Sequence, residues 1–156
     1  MQIHTFADSG LLWLAPAGAG SEDGKREPSS PEQRLDVQAL RVLIVEDEFF
    51  ISLETKSLLL GLGHAVVAIA VSADEAVRVA DQERPDVVLM DIRLVGARDG
   101  IDAASEIRDR FDIPSIFVTA NTDRETRGRA QAVAPVAFLE KPLTEARLRA
   151  VLATLV

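Results

Sequence analysis

Arg41-Val42-Leu43-Ile44-Val45 is an apolar run that breaks abruptly into Glu46-Asp47-Glu48. Aliphatic residues in succession, with no polar alternation, are typical of a strand buried on both faces. The same design returns twice further on. Val87-Val88-Leu89-Met90 runs into Asp91, and Val136-Ala137-Phe138-Leu139 runs on to Lys141-Pro142. If these strands lie parallel, their charged ends emerge at one edge of one sheet. Carboxylates gathered there with a single lysine suit a divalent cation and a phosphoryl group.

Outward from these runs, strand-like and helix-like segments alternate from Leu40 to the C-terminus. Arg41 to Glu46 reads as the first strand. Glu48 to Leu60 reads as a helix, stopped by Gly61-Leu62-Gly63-His64. Ala65 to Ala70 is the second strand. Ser72 and Glu75 form a predicted capping box for a helix to Glu83. Arg84-Pro85 ends that helix, because a residue before proline is pushed out of the helical region. Asp86 to Met90 is the third strand, and Asp99-Gly100 leads into a helix with Ile101, Ala104 and Ile107 on one face. Pro114 opens a fourth strand, Ser115 to Thr119. A short helix, Asp123 to about Ala132, contains Gly128. Val136 to Leu139 is the fifth strand. Thr144 caps a last helix whose stripe is Leu148, Val151, Leu152 and Leu155. Five strands alternating with five helices predict an α/β fold, a doubly wound five-stranded parallel sheet with right-handed crossovers. Ligands of such sheets sit at the carboxyl ends of the strands. The sequence ends with the fifth helix, so no output domain is expected after it.

Composition narrows the function classes. The 156 residues suffice for one domain, and 47% hydrophobic content is enough for a packed core. A net charge of −8 and a pI near 4.8 speak against nucleic-acid binding and against docking on an anionic membrane. The absence of cysteine excludes disulfides and thiolate chemistry and fits a cytoplasmic protein. Residues 1–39, rich in Gly, Ser, Pro, Glu and Asp from Gly18 to Gln38, read as a disordered tail that folding does not need. Leu11-Leu12-Trp13-Leu14 within it is too short, and too poor in preceding cations, for a secretory signal. The folded domain is expected over 40–156.

The ordered set is an acidic pair after the first strand, Asp91 after the third, Thr119 after the fourth and Lys141-Pro142 after the fifth. In this it resembles the receiver domain of two-component response regulators, from Leu40 to Val156. That resemblance implies a flavodoxin-like sheet in the order 2-1-3-4-5. It implies that Asp91 is the phosphoacceptor, attacking a phosphohistidine on a histidine kinase or phosphotransfer protein. A carboxylate is ionised at neutral pH and needs no general base, but an anionic phosphoryl group repels it. Mg²⁺ relieves that repulsion, held by Asp47, Asp91 and the Arg93 backbone carbonyl, with Glu46 acting largely through water. Glu48 is placed outside the set. Lys141 would pair with phosphoryl oxygens, steadied by a cis bond to Pro142. Thr119 would be the switch hydroxyl, and the Ala120 backbone N–H a second donor. Phe138 stands at the aromatic switch position, with simple core filling as the alternative.

Three further expectations come from the resemblance. Arg93 and Asn121 would flank the path of water to the phosphorylated aspartate and modulate hydrolysis. The surface of helix four, strand five and helix five would carry the signal to a downstream protein target, with a homodimer as another arrangement. The chain would catalyse nothing beyond its own phosphorylation and dephosphorylation. A phosphatase acting on external substrates is disfavoured, because Arg93 stands where a phosphoaspartate hydrolase carries its second acid. A module that binds partners without phosphorylation remains the other reading. The loop from Asp91 to Gly100 departs from the family: it is one residue longer than usual, with Val95-Gly96 in place of the usual proline.

Overall fold

The computed structural model describes residues 38–156 except Asn121. The tail, its Leu11 to Leu14 segment and the role expected of Asn121 therefore lie outside the described residues. Five parallel strands form one sheet: β1 (Arg41–Val45), β2 (Ala65–Ala70), β3 (Val87–Asp91), β4 (Ser115–Thr119) and β5 (Ala137–Glu140), in the order β2-β1-β3-β4-β5. The helices between them are α1 (Phe49–Gly61), α2 (Ala73–Glu83), α3 (Gly100–Phe111), α4 (Arg124–Ala132) and α5 (Glu145–Leu152), and a 3-10 turn follows at Ala153–Leu155. The α/β architecture and strand order are those expected.

Alternation along the strands builds two cores, because successive side chains point to opposite faces. Leu43, Val45, Val88, Met90 and Phe117 face α2 and α3, whose Ala76, Ala80, Ala104 and Ile107 are fully buried. Val42, Ile44, Leu89, Ile116 and Val118 face α1 and α5 through Leu59, Leu148 and Leu152. Of the stripe expected on α5, Leu148 and Leu152 are buried, while Val151 and Leu155 pack only in part. Helix α4 buries Ala130 alone.

Several boundaries differ from the sequence reading for local reasons. β1 stops at Val45, so Glu46 lies just beyond it, and Glu48 is the N-cap of α1 rather than its first residue. Ser72 accepts from the Glu75 N–H at 3.2 Å, but the Glu75 carboxylate takes the Val71 N–H at 2.8 Å, so the reciprocal box does not form. That box forms instead on α3, between Asp99 and Asp102. Arg84 closes α2 in the left-handed conformation (φ 46°) and not the extended one, held by its own side chain on Asp81. Asp86 stays out of β3 because its carboxylate accepts the Arg41 N–H at 2.7 Å, while Asp91 joins the strand. β5 is shifted to include Glu140 and exclude Val136.

His64 ties the start of β1 to the end of α1. It is buried, and its Nδ1 accepts the Leu40 N–H at 3.2 Å. Burial holds its pKa below the ordinary 6.5. The unfolded chain therefore takes up a proton at a pH where the folded chain does not, and Nδ1 can accept only while unprotonated. This contribution is complete above about pH 6.5 and falls as the pH drops below it. His64→Asn, which keeps an acceptor near Nδ1 but cannot titrate, is expected to lose less thermal stability between pH 7.5 and pH 5.5 than the wild type. Identical losses in both proteins would contradict this role.

Candidate functional site

The edge formed by the carboxyl ends of β1, β3, β4 and β5 gathers most of the expected residues. Asp91, the last residue of β3, is 6% exposed, and Glu46, just past β1, is 4% exposed. Asp47 is half-buried beside them, and one carboxylate oxygen from each of the three lies within 4.8 Å of the others. Lys141 reaches across from the end of β5. Its Nζ donates to Glu46 Oε2 at 2.7 Å and to Asp91 Oδ2 at 2.9 Å.

The two buried carboxylates are held in the same manner. Each gives one oxygen to Lys141 and the other to a backbone N–H two residues on. Glu46 Oε1 accepts from Glu48 at 3.1 Å, and Asp91 Oδ1 from Arg93 at 2.9 Å. Both acids are thus oriented by the chain that leaves their strands. Burial pushes the Glu46 carboxyl above the ordinary carboxylate range; Lys141 and the Glu48 N–H oppose this, and the neighbouring Asp91 charge adds to it. Burial alone would pull Lys141 down, but its bonds to Glu46 and Asp91 outweigh it and hold the ammonium above the usual lysine value. Charged, three carboxylates and one ammonium leave the cluster two negative charges in excess. Hard oxygen donors with such an excess match what a divalent cation such as Mg²⁺ requires.

Thr119 ends β4, is 5% exposed, and its carbonyl accepts the Lys141 N–H at 2.9 Å, which fixes the height of the lysine at the edge. Ala120 follows in an exposed bend and shares an apolar cleft with Lys141, Pro142 and Ile51. The Lys141-Pro142 bond is cis, as the family resemblance implies. Arg93, two residues after Asp91, is exposed. Phe138 lies one layer down, half-buried, stacked on Phe117 at 5.6 Å between centroids, with the Arg127 guanidinium 5.1 Å above its ring. It packs against the core and also lines an open cleft.

The sequence reading missed two features. Gly100 sits against the Asp91 main chain: a Cβ there would stand 1.9 Å from the Asp91 carbonyl oxygen. The Asp99-Gly100 pair by itself predicts a helix start, and only the tertiary approach shows why glycine is needed. In addition, Phe49 and Phe50 open α1 beside the acids with 66% and 82% of their surfaces exposed, paired edge to face at 5.5 Å. At the tip of the Asp91–Gly100 loop Val95 is exposed and Gly96 takes φ 133°.

Residues 42–153 match the family model of the response regulator receiver domain. Phyllosphere-induced regulator PhyR of Methylorubrum extorquens is 36% identical over 115 residues, covering 73% of this chain and 42% of PhyR. The chain spans about half the length of the curated relatives it matches. Among solved structures, the receiver domain of a modulated diguanylate cyclase from Desulfovibrio desulfuricans G20 superimposes with a TM-score of 0.72 at 36% identity, covering 74% of this chain and 92% of that one. The receiver domain of sensor histidine kinase PA1611 from Pseudomonas aeruginosa, with a magnesium ion in its active-site cleft, superimposes with a TM-score of 0.67 at 31% identity over 74% of this chain and 96% of that one. No helix among the described residues is long and apolar enough to cross a membrane.

Proposed function

The chain belongs to the response regulator receiver domain family, and from that premise we propose that Asp91 accepts a phosphoryl group from a histidine kinase or a phosphotransfer protein. The observation that carries this reading is the pairing of buried Glu46 and Asp91 through Lys141, with Asp47 alongside. An Asp91 carboxylate oxygen attacks phosphorus, the phosphorus–nitrogen bond of the donor breaks, and the imidazole leaves with the electron pair. Glu46, Asp47, Asp91 and the Arg93 carbonyl would hold Mg²⁺, which when bound neutralises charge on both partners. Lys141, released from Asp91 Oδ2, pairs with the transferred oxygens as a mobile point charge. Thr119 and the Ala120 N–H supply further donors. Exposed Phe49 and Phe50 offer an apolar landing for the donor protein next to the acids. We place this exchange in the cytoplasm and assign the chain no catalysis beyond its own phosphorylation and hydrolysis.

Signalling then follows from movement at α4, β5 and α5. Helix α4 buries one side chain and carries Gly128 at its centre, so little packing resists its displacement when Thr119 turns toward the phosphoryl group. Phe138, stacked between the core and Arg127, registers that displacement by packing alone. Incubation with Mg²⁺ and acetyl phosphate is expected to label Asp91, and Asp91→Asn or chelation of Mg²⁺ to abolish labelling. Stable labelling of Asp91→Asn would overturn the assignment. In the same labelled protein, Arg93→Ala is expected to shorten the phosphorylated lifetime, since Arg93 can fold over the phosphoryl oxygens; an unchanged lifetime would remove that role.

A further inference from the structure

The buried side of α1 carries two hydroxyl residues, Ser52 and Thr55, beside Leu59. The Ser52 hydroxyl donates to the Phe49 carbonyl at 2.7 Å. Thr55 is 6% exposed, and its hydroxyl has no hydrogen-bond partner among the described residues. Buried hydroxyls in folded proteins are nearly always satisfied, by protein or by ordered water. Beside Thr55 lies a small void of about 10 Å³ at the carboxyl end of the sheet. Ile44, Leu89 and Val118 are among its apolar walls, and its polar side chains are Glu46, Asp91 and Thr55. Such a volume takes about one water, and three polar groups are the usual number that a buried water bonds. Thr55 also lines the open cleft of Ala120, Lys141 and Pro142, so it stands between that cleft and the void and gives water a short way in.

We propose that Thr55 is a positioning residue of the acidic site, holding one water in this void against the inner sides of Glu46 and Asp91. The water takes the Thr55 O–H and gives one of its own O–H groups to each carboxylate, so one molecule satisfies all three side chains. Glu46 and Asp91 are already held on their other sides by Lys141 and by the Glu48 and Arg93 N–H groups. A bond from the inner side completes that restraint and fixes both carboxylates in the orientation that a divalent cation meets. Groups one step behind the ligands of a cation set its affinity in this way, because they spare the ligands from reordering when it binds. The inference deepens the receiver reading, on which it rests for the use made of the cation.

Nuclear magnetic resonance of the full chain tests this. In Mg²⁺-free wild type, magnetisation is expected to pass from a long-lived bound water to the methyl groups of Val118 and Leu143, which line the same void. Thr55→Val keeps the shape and removes the hydroxyl. It is expected to lose that transfer and to weaken Mg²⁺ binding by about tenfold, followed at the Glu48 and Arg93 amides that bond the two acids. Thr55→Ser, which keeps the hydroxyl, is expected to restore both. Because the bound water is read in the wild type, the proposal stays testable even if a variant folds poorly. A wild type without the transfer, unchanged Mg²⁺ affinity in a folded Thr55→Val protein, or Thr55→Ser no better than Thr55→Val would overturn it. Labelling of Asp91 by acetyl phosphate, read in parallel, separates the two ideas. A labelled wild type without the bound water overturns the role of Thr55. Bound water and hydroxyl-dependent Mg²⁺ binding in a wild type that cannot be labelled overturn the receiver reading and uphold the role of Thr55.

Discussion

Gly100→Ala is expected to destabilise the fold by about 3 kcal/mol, at the upper end of what overpacking costs, and to reduce phosphorylation of Asp91 sharply. The new Cβ would stand 1.9 Å from the Asp91 carbonyl oxygen, 2.9 Å from its carbonyl carbon and 3.0 Å from Met90 Cγ. The first two are backbone atoms of a central strand, so no side-chain rotation relieves the clash. Either α3 must retreat, breaking the Gly100 N–H bond to the Ile92 carbonyl, or the end of β3 must shift and carry the Asp91 carboxylate off Lys141. The melting temperature is expected to fall by roughly 10 °C for a domain of this size. Gly128→Ala is the control: an added Cβ there meets nothing within 4 Å, and alanine is favoured over glycine inside a helix by about 1 kcal/mol. Thermal unfolding and acetyl phosphate labelling of both variants check the pair. A Gly100→Ala protein with wild-type stability and labelling would show that the close approach is not needed.

Lys141→Met is expected to destabilise the protein by about 3 kcal/mol in Mg²⁺-free buffer at neutral pH, because it leaves buried carboxylates without their cation. The side chains concerned are 14% (Lys141), 5% (Glu46) and 7% (Asp91) exposed, so water replaces little of what is lost. The pH dependence follows from the Glu46 shift. Its pKa is already raised in the fold by burial, so the folded chain gains a proton before the unfolded one does. Protonation of Glu46 therefore adds stability as the pH falls from neutral toward the ordinary value of 4.5. Removing Lys141 takes away the main influence opposing that shift, so the variant should regain stability on mild acidification to a greater extent than the wild type. Added Mg²⁺ should restore part of the loss at neutral pH. Urea unfolding at two pH values, with and without Mg²⁺, reads all three effects. Equal stability of variant and wild type in chelator would mean that Lys141 does not offset the carboxylates.

Much of this was legible in the residues alone. Unbroken apolar runs followed by Glu46, Asp91 and, just past Glu140, Lys141 point to buried strands, and the alternation of strands with helices points to a parallel sheet whose strand ends share an edge. That logic yields the sheet, its helical cover and the cluster of Glu46, Asp47, Asp91, Thr119 and Lys141, because period-two burial and chain direction are local properties. Tertiary structure decided what depends on distance between segments far apart in the chain. It decided that Asp86 belongs to Arg41 and not to β3, and that Gly100 lies against the Asp91 main chain. It also decided that Arg127 and Arg147 share a cleft, while Arg129 pairs with Asp99 and Asp102 and Arg149 with Glu145. Sequence specifies which side chains a strand or helix presents. Which atoms then come within 3 Å of one another is fixed only when the elements pack, because hydrogen bonds and steric contact act over distances far shorter than the spacing between elements.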